Sequence, residues 1–492
     1  MSEGILPFGP GGLAFIALYL CSLIAVGWFG LRARKENSLK DFYLGGSGVG
    51  FLVLVLTLYA TQYSGNTVLG FSGKAYRIGY SWMTSVHFMM MMVVVFLTYA
   101  PKLHRLSKRH GFITPTDFLN HRFGSRGMNL LASLIMVMAL SNYLLAQLTA
   151  MGRAFQGLTE IDPVTAFATG VLLLAAIMLI YETLGGFRAV AWTDVIQGGV
   201  LMVGFAILLV LVFVKFGSPQ EAATRLLASE GARGKILPPD SLQLRQWISF
   251  IGMIGIGGAL YPHAIQRIYA ARSSNVLRKS LAVMVFMPLA TTLIALLVGV
   301  MGAAHLPGLE GAHADRILTV MLREVQQGSV FGYWLVVVLF SAILAALMST
   351  ADSALLSISS MLTKDIYQPF VRPGATQAQL TRLGKILSWL LVAVLAAVAI
   401  YLNQLEEKMT LIQLLNIKFD ILIQLAPAFL VGIHWKGMRS GPTLRGIWVG
   451  LAVALSLYPF ATLKHVGFHP GLFGLLANLA VAIGGSLAVN RS

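Results

Sequence analysis

This sequence has little charge and almost no cysteine. Only 11% of its 492 residues are Asp, Glu, Lys or Arg, against about a quarter in ordinary soluble domains. So few charges cannot cover a water-facing surface for a chain of this length. Cys21 is the one cysteine, and it sits inside an apolar run, so no disulfide forms within the chain. The sequence has no Walker loop, which excludes ATP binding through a P-loop as the driving step. HExxH, CxxC and the nucleophile elbow are absent as well, and an enzyme within the membrane is not expected. No segment alternates with the period of two that an outer-membrane barrel strand requires.

Acidic residues are also scarce. There are 19 against 36 basic ones, a net charge of +17. That excess could suggest nucleic acid, but the basic residues lie in short loops between apolar runs and not on a separate domain with interleaved aromatics. No nucleic-acid partner is expected.

Hydrophobic residues make up 57% of the chain. Runs near twenty residues recur from end to end, each long enough for a bilayer core of about 30 Å. The reading is an all-α polytopic membrane protein with about thirteen spans. They fall near 11–31, 49–72, 80–101, 127–157, 163–183, 191–216, 247–270, 280–304, 331–362, 384–404, 410–433, 444–462 and 470–489. The run from Gly11 to Gly30 is too long for a cleaved signal peptide and is read as the first span.

The loop charges set the orientation. One set of loops holds four Lys and Arg from Arg32 to Lys40, six from Lys102 to Arg126, and Arg188. It also holds four from Arg267 to Lys279, four from Lys364 to Lys385, and Lys436, Arg439, Arg445 and Arg491. That is 23 of the 36. The short loops of the other set hold Lys74, Arg77, Lys408 and Lys464. Positive residues stay inside, so the N-terminus is expected outside the cell and the C-terminus in the cytoplasm.

Two spans carry helix breakers. The second contains Tyr63-Ser64-Gly65-Asn66 and then Gly70. The seventh contains Gly252, Gly255, Gly257, Gly258 and Pro262. They stand five spans apart, so 49–216 and 247–433 can be laid over each other as two five-helix units. Because five is odd, the second unit is inverted. The span at 11–31 and the two within 444–489 are then peripheral. Paired interruptions of this kind point to a transporter site near the bilayer midplane, where unwound carbonyls hold a cation.

Three stretches resemble the sodium:solute symporter family. They are Asp41-Phe42-Tyr43-Leu44-Gly45-Gly46, the run Gly185-Gly186-Phe187-Arg188 through Thr193-Asp194-Val195-Ile196-Gln197, and Ala345-Ala346-Leu347-Met348-Ser349-Thr350 followed by Lys364-Asp365-Ile366-Tyr367. The resemblance covers nearly the whole chain and includes pantothenate, proline, monocarboxylate and sialic acid symporters. It implies a LeuT-type inverted repeat and alternating-access symport of a small organic solute, carboxylate or amino-acid-like. The coupling ion would be Na⁺, in a multi-pass protein of the cell membrane.

Sodium is a hard cation that takes oxygen ligands. Ala346, Ser349 and Thr350 stand at i, i+3 and i+4 on one helical face. The resemblance adds the carbonyls of Ala60 and Tyr63 to this site. It also suggests a second cation at Asp194, Ser349, Asp352 and Ser353, with Asp352 where the family usually has a hydroxyl. Asp352 could instead carry a proton or pair with Lys418, another ionisable residue inside a span. For the solute, the expected residues are Gln62, Ser64, Thr67, His87, Tyr143, Gln147 and Gly258. The proline carriers have an aspartate where this sequence has Gln62, which argues against proline itself. A proton-coupled symporter of the same fold, a transporter-like sensor and a channel are the competing functions. Against a sensor, no soluble signalling domain follows the last span. Against a channel, there is no repeated pore ring.

Overall fold

The structure is a computed structural model and describes residues 8–156, 162–405, 410–460 and 462–491. Lys408, one of the outer charges, lies outside these. Ten helices are long and apolar enough to cross a membrane, or eleven with the bent pair Ser241–Gly258 and Pro262–Ala270 taken as one span. Two of the ten are too long for a single crossing. Pro163–Phe216 has 54 residues, about 81 Å at 1.5 Å per residue, against a hydrocarbon core of about 30 Å. It turns at Gly186, where φ is 57° and ψ is −145°. Thr67–His110 has 44 residues and is punctuated at Gly79, where φ is 66°. Dividing both gives thirteen crossings.

In chain order these are α1 (Pro10–Arg32), the broken α2 (Phe51–Gln62, then Phe71–Ile78), α3 (Thr84–His110) and α4 (Arg126–Gln156). Next come α5 (163–185), α6 (187–216), the broken α7 (Ser241–Gly258, then Pro262–Ala270) and the kinked α8 (Ser274–Met284, then Thr292–His305). The last five are α9 (Val330–Met361), α10 (Gln377–Asn403), α11 (Leu411–Leu422), α12 (Ser440–Leu457) and α13 (Pro470–Arg491). Several ends differ from the sequence reading. α2 continues to Ile78, so Lys74 and Arg77 are helical and not in a loop. The connection expected at 184–190 does not exist, because α5 runs into α6 across one glycine.

Burial separates core from periphery. In α9 every residue from Phe340 to Met361 is buried, as expected of a helix apolar on all sides at a bundle centre. The most apolar windows of α1, α10, α12 and α13 are only 28% buried. Large apolar side chains such as Leu18, Leu390 and Leu455 stand exposed there, where lipid replaces a protein partner.

The first two sequence motifs meet each other. A short helix, Leu39–Leu44, precedes α2. Its Asp41 makes a two-pronged ion pair with Arg188 at 2.6 and 2.7 Å. Burial pushes the Asp41 carboxyl up, but the hydrogen bonds and charge of Arg188 outweigh it and hold the group below its ordinary range. Gly186 lies beneath this helix, and a Cβ there would sit 2.6 Å from the Phe42 carbonyl oxygen. Its backbone angles also belong to a region that is essentially glycine-only. Gly186→Ala is therefore expected to destabilise the protein by about 1–3 kcal/mol. Thermal unfolding in detergent measures this, and an unchanged melting temperature would contradict the argument.

The third motif is tied in further along. Asp365 accepts hydrogen bonds from Thr114 (2.8 Å) and Thr116 (2.7 Å), and Lys364 pairs with Asp117. The C-terminal end of α9 is thus fastened to the connection between α3 and α4.

Candidate sodium and solute site

The two breaks have different local causes. In α2 the helix stops at Gln62, and Tyr63 leaves helical geometry with φ −99° and ψ 89°. The chain resumes through a π turn, Asn66–Gly70. Gly65 is required by close approach, since a Cβ there would lie 2.1 Å from the Leu347 side chain of α9. In α7 the amides of Leu260 and Tyr261 bond back three residues to Gly257 and Gly258. Pro262, which has no N–H, then opens a new segment at 48° to the first.

A helix that stops leaves its last carbonyls without helical partners. Here α9 meets them. Ser349 Oγ donates to the Ala60 carbonyl at 2.9 Å and lies 3.4 Å from the Ala346 carbonyl. Thr350 Oγ1 lies 3.5 Å from the same Ala60 oxygen. All four residues are fully buried, and Tyr63 stands at the break beside them. Two hydroxyls and the carbonyls of a broken helix, with no charged ligand, are the donors a singly charged hard cation takes.

Tyr143 of α4 joins this cluster to a second one. Its hydroxyl lies near the side chains of Ser64, Thr350 and Tyr261. Its ring stacks on Tyr261, with centres 5.3 Å apart and planes at 9°. The His263 ring lies tilted against Tyr261 at 4.8 Å, and Phe419 of α11 lies 5.2 Å from the same ring. Gln147 uses its carbonyl oxygen to hold the Gly65 amide at 3.1 Å, which pins the break in α2. Its amide nitrogen has no hydrogen-bond partner among the described residues, nor has Gln62 Oε1 or either nitrogen of His263. Lys418 is buried without a hydrogen-bond acceptor, its Nζ 3.2 Å from the centre of the Tyr143 ring.

Two expected solute residues fall elsewhere. His87 is on the exposed side of α3 and packs on Trp247 at 5.6 Å. The helical phase explains this, because Val86, Phe88, Met89 and Met92 take the buried face. The bare face of Gly258 gives no room to solute, because a Cβ there would lie 2.5 Å from Met92 Sδ. It lets α7 press on α3. Thr67 is buried in the π turn, its amide bonded to the Ser64 carbonyl at 2.8 Å.

Around Asp194 and Asp352 the structure adds a residue that the sequence reading had placed in a cytoplasmic loop. Arg267 is buried in α7 and pairs with Asp194 at 2.9 Å. It also donates to Thr57 (2.8 Å), Ser353 (2.7 Å) and the His263 carbonyl (3.1 Å). Thr57 donates to Asp194 as well. Ser353 donates onward to Asp352 at 3.0 Å, and Tyr181 of α5 donates to the other Asp352 oxygen at 2.6 Å. The alternative pairing of Asp352 with Lys418 is not made, since these two residues belong to separate clusters. One signal for Arg267 was in the sequence. His263, Gln266 and Arg267 stand at i, i+3 and i+4 after Pro262, a polar face that a lipid-facing half-helix would not carry.

Residues 42–450 match the sodium:solute symporter family. The chain belongs to that family. It is a transporter and not an enzyme, and Na⁺ is its coupling ion. It is 25% identical over 489 residues to an osmoregulated proline transporter of Bacillus subtilis (strain 168), covering 97% of this chain and 94% of that one. It is 26% identical over 487 residues to a sodium/proline symporter of Staphylococcus aureus (strain JH9), covering 95% and 90%. A solved Na⁺-coupled sialic acid symporter, substrate-bound and outward-open, superposes with a TM-score of 0.79 at 21% identity over 98% of both chains. Mhp1, a nucleobase-cation-symport-1 family transporter, superposes at 0.56 with 16% identity, covering 92% and 94%. This symporter shares their LeuT-type fold.

Proposed function

We propose that this protein carries a small organic solute, carboxylate or amino-acid-like, into the cell together with sodium, by alternating access. Ala60, Tyr63, Ala346, Ser349 and Thr350 hold the coupling sodium. Gln62, Ser64, Tyr143, Gln147, Tyr261, His263 and Lys418 border the solute. The observation that carries this reading is the place of Tyr143, whose hydroxyl lies near both Ser64 at the α2 break and the sodium-site hydroxyl of Thr350 while its ring stacks on Tyr261. A solute that orders the Tyr143 ring also orders a sodium ligand, so each occupant improves the site for the other. Such coupling is reciprocal by necessity.

Asp194, Ser349, Asp352 and Ser353 form the candidate second cation site. Arg267 neutralises one of the two carboxylates and leaves the other. Among the described residues Asp194 Oδ1 has no hydrogen-bond partner, so a lone pair is free for a cation. The two inverted units are 49–216 and 247–433. The protein sits in the cell membrane with its N-terminus outside and its C-terminus in the cytoplasm.

Uptake of radiolabelled solute into proteoliposomes, with an inward sodium gradient, a proton gradient or neither, tests the reading. Accumulation above equilibrium is expected with the sodium gradient alone. Accumulation driven equally by protons would overturn sodium coupling, and equilibration without accumulation would indicate a channel.

A further inference from the structure

We propose that Lys418 anchors a carboxylate of the transported solute, which makes the solute class a small organic anion and not a zwitterionic amino acid. This rests on the solute site proposed above. Lys418 is 1% exposed, and among the described residues its Nζ has no hydrogen-bond acceptor. It rests on aromatic faces, 3.2 Å from the centre of Tyr143 and 5.0 Å from those of Tyr261 and Phe419. A ring face holds an ammonium by about a tenth of what its lost water did. A buried ammonium in this position calls for an anionic partner, and none of the described residues supplies one.

The nearby acids are all committed elsewhere. Asp194 faces Arg267 and Thr57, and Asp352 faces Tyr181 and Ser353. Asp420, two residues along α11 and so on its opposite face, accepts from the Gly471 amide at 2.8 Å. Asp194 and Asp352 belong to the Arg267 cluster and not to that of Lys418, so no carboxylate beside Lys418 receives a solute ammonium. The unpartnered groups around Lys418 are Lys418 Nζ and Gln147 Nε2 as donors, the His263 ring with one donor and one acceptor nitrogen, and Gln62 Oε1 as an acceptor. They suit a carboxylate with a neutral polar group near it and an apolar body on the tyrosines.

A second observation is independent of Lys418. A cavity of about 650 Å³ borders the other face of α11, on the side read as outer. Its walls include Lys74, Arg77 and Lys464, against one carboxylate, Asp420, although Arg77 is paired with Asp315 at 3.2 Å. A basic antechamber of this kind raises the local concentration of anions.

The test is thermal unfolding of the purified, full-length protein in detergent, in sodium or choline chloride. The probes are lactate, hexanoate and benzoate, their neutral amides, and the zwitterions alanine and proline. In sodium, at least one carboxylate is expected to raise the melting temperature while its amide and the zwitterions do not. Lys418→Met is expected to keep the sodium-induced rise and lose apparent carboxylate affinity on the order of ten- to hundredfold. That retained sodium response shows that the variant is folded. Lys418→Arg, which keeps the charge, is expected to preserve the preference for carboxylate over amide, and it serves where the methionine variant does not fold. Amides or zwitterions that stabilise as well as carboxylates would overturn the proposal, as would a methionine variant with undiminished carboxylate response. A wild type stabilised by carboxylate but not by sodium supports the anchor and counts against the sodium site, so the two readings fail separately.

Discussion

Ser349→Ala and Thr350→Ala are each expected to raise the sodium concentration for half-maximal uptake by about ten- to a hundredfold. The estimate follows from removing one oxygen from a desolvated ion, on the order of 1–3 kcal/mol, where 1.4 kcal/mol is a factor of ten. The two variants should nevertheless differ. Among the described residues the Ser349 hydroxyl meets the carbonyls of Ala60 and Ala346, so its loss should act on sodium and leave the solute KM at saturating sodium nearly unchanged. Thr350 also lies near the Tyr143 hydroxyl, so its loss should raise the solute KM as well. Sodium activation curves at several solute concentrations separate the two effects. Unchanged sodium dependence in both variants would remove these hydroxyls from the site. Equal effects of both on the solute would sever the link through Tyr143.

Much of this arrangement was legible in the sequence because each feature leaves a local trace. Apolar runs of membrane length mark the spans, and Gly65 and Pro262 mark the breaks. Ala346, Ser349 and Thr350 share a face because helical spacing dictates it. What could not be read is which elements face each other. His87 and Tyr143 look alike in sequence, each a polar group among Met, Leu and Val, and only the phase of the helix against its neighbours sends one to the surface and the other to the core. Arg267 was misplaced for a related reason. A basic residue just before a loop follows the same rule as one that ends a span, and its partner Asp194 lies 73 residues away. Lys418 kept two open partners in the sequence because a Lys and an Asp within a membrane attract each other on paper. Tyr181, Ser353 and the Tyr143 ring divide them in space.

Removing the guanidinium of Arg267 should be among the most damaging single changes in the protein. Arg267→Met leaves Asp194 buried without its cation and strips hydrogen bonds from Thr57 and Ser353. Breaking a buried pair from one side costs about 3–5 kcal/mol, enough to remove most of the marginal stability of a folded protein. Asp194→Asn should also destabilise, because it leaves the guanidinium unpaired, and the double variant should recover stability that neither single variant has. Asp352→Asn is expected to behave differently. Its partners are the hydroxyls of Tyr181 and Ser353, so an amide strands no opposite charge and the protein should keep its melting temperature. It does remove the carboxylate that Arg267 leaves unneutralised. If that carboxylate serves a second cation, fewer ions should cross per solute, which the reversal potential of uptake in proteoliposomes measures directly. Lys418→Met should not rescue or worsen Asp352→Asn, because the two residues do not pair. An Asp352→Asn variant with unchanged stoichiometry and unchanged sodium dependence would leave the carboxylate with a structural role and end the case for a second cation there.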